Sequence, residues 1–162
     1  AHSHGEFGGW LEWFSVAGDS TYEISHHHIV DFVEVEGELM AIEGLAHGQS
    51  SSGSLVRLVQ LHNKWTTEVV GRLPSAPRAA VAQEGCVLIV HQQGLLRSTV
   101  SGIMKEVLRF SDLGWLYPNS ALLDGQKLYV GMRGYVWEVD LQTASGRVLA
   151  PPEGSSYFTP PE

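Results

Sequence analysis

Three consecutive histidines, His26-His27-His28, stand just before the apolar run Ile29-Val30, and another, His47, lies between Gly44 and Gly53. Neutral imidazole is a zinc ligand, so a metal site is the first chemistry to weigh. In an extended chain, however, successive side chains point to opposite faces, and three neighbours do not converge easily on one ion. The run reads as a solvated connection and no metal is expected; His62 and His91 read as turn or strand-end residues. Asp31, Glu34, Glu36 and Glu43 gather near one strand. Paired carboxylates can do acid–base work, but this spacing is that of solvent-facing positions on an alternating strand. Cys86 opens the run Cys86-Val-Leu-Ile-Val and reads as a packed free thiol. There is no Gly-x-Ser-x-Gly elbow, and the glycines carry no phosphate-loop pattern. The chain is expected not to be an enzyme and to need no cofactor.

The glycines instead punctuate a repeat. Gly37-Glu-Leu-Met-Ala-Ile-Glu-Gly44, Gly85-Cys-Val-Leu-Ile-Val-His-Gln-Gln-Gly94 and Gly125-Gln-Lys-Leu-Tyr-Val-Gly-Met-Arg-Gly134 each place a short apolar strand between two glycines. Glycine suits a corner because it takes positive φ without steric cost. Each segment is preceded by one strand-like run and followed by two more, so each unit is a four-stranded meander. The glycine before the third strand recurs at Gly9, Gly53, Gly94 and Gly134, at spacings of 44, 41 and 40 residues. That is the period of a propeller blade.

The expected fold is therefore all-β, an incomplete (half) β-propeller of about three and a half four-stranded antiparallel blades. Residues 1–8 read as a flexible N-terminus or a tag remnant, 9–150 as a single partial propeller domain, and 151–162 as a C-terminal tail. The first blade has only a third strand from Gly9 and a fourth at Thr21-Tyr-Glu-Ile. Closed propellers need roughly four to eight blades. An array this short is open, or pairs with a second copy into a seven-bladed ring, or belongs to something larger. A single cysteine excludes an internal disulfide, and no apolar run reaches the roughly 18 residues of a membrane-spanning helix. A net charge of −8 disfavours nucleic acid and anionic membranes and suits a basic protein partner.

The stretch from Leu128-Tyr-Val-Gly through Gly134-Tyr-Val-Trp-Glu-Val-Asp-Leu to Gly146-Arg-Val-Leu149 resembles the blade repeat of quinoprotein-like propellers. That resemblance implies the fold only. The tryptophan docking motif of that family is absent, so no quinone cofactor is implied. As a whole, a small, acidic, incomplete propeller is similar to the periplasmic immunity protein that neutralises a type VI secreted peptidoglycan amidase. In that family a loop enters the cleft of a cysteine hydrolase and a serine contacts its catalytic histidine. No sequence motif anchors this second likeness.

Loops carry the remaining signal. The insertion Gly44–Gly53, with His47 and Ser51, offers adaptable hydrogen bonding, while Phe110–Asn119 offers Ser111, Asp112, Trp115 and Tyr117. Ser98, Thr99 and Ser101 form a second polar patch. These nine residues are the expected partner-binding set. The expected function is a periplasmic or secreted inhibitor of the immunity type, occluding a basic cell-wall amidase or hydrolase. The alternative is an assembly module that forms a seven-bladed ring by homodimerisation.

Overall fold

In the computed structural model, residues 1–3, 7–47, 50–110 and 117–149 are described. Their strands are β1 (His2–Ser3), β2 (Gly9–Phe14), β3 (Thr21–Ser25), β4 (Ile29–Val35), β5 (Glu38–His47), β6 (Ser50–Leu61), β7 (Lys64–Leu73) and β8 (Pro77–Gln83). After these come β9 (Cys86–His91), β10 (Gly94–Thr99), β11 (Met104–Arg109), β12 (Ser120–Asp124), β13 (Lys127–Met132), β14 (Tyr135–Asp140) and β15 (Ser145–Leu149). They form three four-stranded antiparallel meanders, β4–β7, β8–β11 and β12–β15, preceded by the three-stranded sheet β1–β2–β3. The first strands β4, β8 and β12 of successive meanders lie side by side, and the sheets do not close into a ring. The chain is an incomplete all-β propeller.

Alternation explains the stacking. In β9 every residue is buried, because both faces are covered. Val87 and Ile89 point into a core shared with Met40, Ile42 and Leu55 of the preceding blade. Leu88 and Val90 point the other way, into a core with Leu128, Val130, Trp137 and Val139 of the following one. Phe110 packs edge-on against Trp137, ring centroids 4.5 Å apart, in that second core. A smaller core of Leu11, Ile29, Ala41, Val56 and Leu58 joins the first sheet to the second. Blades hold together face to face, with apolar burial stabilising by roughly 25 cal/mol per Å².

Within residues 1–8, read as a flexible N-terminus or tag remnant, His2–Ser3 form β1: His2 pairs with Trp10 and Ser3 with Gly9. The His2 ring stacks on Trp10 at 5.0 Å and its Nε2 lies 2.7 Å from the Glu12 carboxylate. The stretch Gly44–Gly53 is not an irregular loop. The β5–β6 ladder continues through Gly44↔Gly53 and Leu45↔Ser52 to His47↔Ser50, a hairpin longer than its counterparts in the next two blades.

The glycines divide accordingly. Gly37, Gly85, Gly125 and Gly134 hold positive φ, as turn corners should. Gly44 and Gly53 do not; they sit opposite each other in the ladder, where a Cβ on either would overlap the Pro77 ring. Close approach of β8 to the hairpin, not turn geometry, requires glycine there. Gly53→Ala is expected to cost about 1–3 kcal/mol by overpacking. Urea melts should show it, with Gly37→Asn, which keeps a residue tolerant of left-handed φ, costing less.

Candidate functional site

Antiparallel order puts alternate turns at opposite ends of the blades. One end holds the β5–β6 hairpin, the starts of β4, β8 and β12, the β9–β10 turn and the β13–β14 turn. Here three stretches far apart in sequence meet. Ser51 Oγ donates to Gln92 Oε1 at 2.8 Å and accepts from the Ala76 amide at 2.9 Å, which ties the hairpin across to the third blade. The Gln92 amide donates in turn to the Ala76 carbonyl at 3.0 Å. Between hairpin, β8 and residues 118–119 lies a recess of about 590 Å³ lined by His28, Ile29, Leu45, Ala46, Arg78 and Asn119, among others.

Beneath this network Ser75 Oγ lies 2.7 Å from His91 Nδ1. The pair has the spacing of a serine–base dyad, but Ser75 is 1% and His91 2% exposed, so a substrate carbonyl has no approach. Burial drives the His91 imidazole down to about 4, with Glu106 opposing and Arg109 reinforcing the shift. Its Nε2 is buried with no hydrogen-bond partner. His91 ends strand β9, as its place in the sequence suggests, and is buried in the core.

The triple histidine splays as the period of an extended chain requires. His26 reaches Glu23 at 3.1 Å, His27 reaches Glu43 at 3.2 Å, and His28 Nδ1 meets the Gly8 carbonyl at 3.1 Å. Among the described residues no three His, Cys, Asp or Glu side chains gather as a metal site. The carboxylates near β4 also separate. Glu43 lies at the hairpin end, and Glu36 lies in the β4–β5 turn at the far end. Asp31 accepts from the amides of Phe32 and Ala80, stitching β4 to β8.

Of the expected contact residues, His47, Ser51 and Tyr117 lie at the hairpin end. Tyr117 is half exposed with φ 51°, and the Arg133 guanidinium sits 4.8 Å from its ring centre. Ser111, Asp112 and Trp115 lie outside the described residues. Ser98, Thr99 and Ser101 are at the opposite end, because Thr99 pairs with Cys86 while Gly94 pairs with His91. Ser98 is fully buried and donates to the Thr99 carbonyl at 3.0 Å, so its hydroxyl is not presented to a partner. Thr99 Oγ1 accepts from the Ile103 amide at 3.1 Å and lies 2.8 Å from Ser101 Oγ, which closes the β10–β11 turn.

Four arginines and four carboxylates stand at opposite ends of the blades, while the three lysines, Lys64, Lys105 and Lys127, share the carboxylate end. Arg72, Arg78, Arg109 and Arg133 terminate or adjoin strands at the hairpin end. Glu36, Glu84, Asp124 and Asp140 occupy or adjoin turns at the other. Cys86, near Glu84 and Glu36, has its thiol pushed up chiefly by burial, with Arg97 opposing. No helix among the described residues is long and apolar enough to cross a membrane.

No protein-family model matches the chain, and no curated protein does. Among solved structures it is similar to the extracellular domain of a one-component system from B. thetaiotaomicron, with 16% identity and a TM-score of 0.43. The match covers 83% of this chain and 25% of that one, so the chain spans about a quarter of that domain's length.

Proposed function

We propose that this chain is a protein-binding propeller segment without enzymatic activity, engaging its partner at the hairpin end. The observation that carries the reading is convergence: residues 44–46, 76–78 and 118–119, from three different blades, line one recess, and half-exposed Tyr117 directly precedes the last of them. Sites built from several loops on a rigid scaffold are the usual form of a recognition surface. In its finer form the partner is a basic, secreted cell-wall amidase or hydrolase, the chain is periplasmic or secreted, and binding occludes the partner's active site. The net charge of −8 supports the basic partner. Because the turn carboxylates lie at the far end, they would act on encounter rate more than on the bound state.

Capture of proteins from periplasmic extract on the bead-bound chain tests both levels. A stoichiometric basic hydrolase whose activity falls to zero at one equivalent is the expected result. Tyr117→Ala should weaken that complex by about 2 kcal/mol, as loss of an aromatic anchor does. Glu36→Gln with Glu84→Gln should slow association and leave dissociation unchanged. Unaltered affinity with Tyr117→Ala would remove the hairpin end from the reading.

A second reading, assembly of two copies into a seven-bladed ring, is favoured by the end blades. Leu122 is 65% and Phe14 55% exposed, on the last and first sheets. Sedimentation decides it: a dimer that persists on dilution supports the ring, and a monomer rejects it.

A further inference from the structure

At the hairpin end the arginines are unequally matched. Arg109 holds Glu106 at 2.8 Å, and Arg133 lies over the Tyr117 ring. Arg78 lines the recess, yet among the described residues its side chain makes no hydrogen bond or ion pair. Its Nε is fully buried without an acceptor. The planar fork of a guanidinium is shaped for paired oxygen acceptors, and no side chain or carbonyl among the described residues supplies them to Arg78. Seven of the eleven described residues that line the recess have apolar side chains, Ile29, Leu45, Ala46, Pro77 and Pro118 among them. At about 590 Å³ the recess is in the size class of small-ligand sites.

We propose that this recess binds a small organic carboxylate with an apolar body, its carboxylate paired with Arg78 and its body against the Ile29, Leu45 and Pro118 walls. One cation among apolar walls selects for one negative group on a hydrophobic frame. A bare inorganic anion leaves the walls unfilled, and a neutral isostere leaves the arginine unmet. A nucleotide or polyphosphate would need more than one cation inside the recess, and Arg78 is the one arginine among its lining residues. The inference stands whether or not a protein docks around the rim, because a ligand of this size sits inside it.

The test is a titration of the isotope-labelled chain with hexanoate, followed by amide shifts, alongside hexanol and inorganic phosphate. Hexanoate should give saturable shifts at Leu45, Ala46 and Arg78 in the millimolar range, and hexanol and phosphate should bind at least tenfold more weakly. Arg78→Met, which keeps the length of the side chain, should abolish the preference of hexanoate over hexanol. Ala46→Leu, which fills the recess and keeps the arginine, should weaken hexanoate about tenfold. Fold integrity of both variants is read from the same amide spectra. Equal binding of hexanoate and hexanol, of hexanoate and phosphate, or of hexanoate to the parent and to Arg78→Met would each overturn the proposal. So would the absence of saturable shifts. None of these outcomes depends on the capture experiment above.

Discussion

Leu88→Ala and Ile89→Ala are each expected to destabilise the chain by about 2–5 kcal/mol, the range for aliphatic truncation in a closed core. The two residues are neighbours on β9, but they serve different interfaces. Leu88 faces the core shared with β13 and β14, and Ile89 the core shared with β5 and β6. Both are fully buried. If blades are held by face-to-face burial, loss at either residue loosens one joint and leaves the other packed. Urea melts of the two variants should therefore drop in midpoint by similar amounts, with hydrogen exchange rising most in β13–β14 for one and in β5–β6 for the other. Leu122→Ala is the control. On the last sheet, and largely exposed, it should change stability by no more than about 0.5 kcal/mol. A cost at Leu122 as large as at Leu88 would mean that the outer face is covered in solution, and would favour the two-copy ring.

The same alternation made the fold legible from residues alone. Cys86-Val-Leu-Ile-Val is apolar at every position because a middle blade is covered on both faces, and the glycine spacing marks the blade period. What local pattern could not supply was proximity between blades. Gly44 and Gly53 look like turn glycines in isolation; only Pro77, more than twenty residues on, shows why they must lack a side chain. His62-Asn63 carries no glycine, yet both residues take positive φ in the β6–β7 turn, as a type I′ corner requires. At the site, Ser51 and Tyr117 were legible as candidates, although Ser51 lies in strand β6 and not in a loop. Arg78 was missed because an arginine following a proline in a connecting segment carries no signal until its surroundings are seen to hold no acceptor for it.

His91 gives the pH response its direction. Unfolded, its imidazole titrates near 6.5; folded, burial holds it at about 4. Between those values the unfolded chain takes up a proton that the native chain refuses, so stability falls as pH falls through the window. The stability is fully present above pH 6.5, and the loss levels off once both states are protonated, below about pH 4. The size follows from the displacement, about 3 kcal/mol in all. Glu138 and Asp140 act lower on the scale. The first is held below its ordinary value mainly by the Arg147 hydrogen bond, the second by the Thr143 amide, so their contributions are lost only as pH falls below the usual carboxylate range. Urea melts from pH 7.5 to 4 should thus show a steep decline that His91→Gln largely removes, while leaving the steeper fall at more acid pH in place. A parent chain whose stability is flat across that window would place the His91 ring in contact with water. Since Ser75 and the Gln93 amide both meet its Nδ1, that outcome would also mean the base of the β9–β10 turn opens in solution.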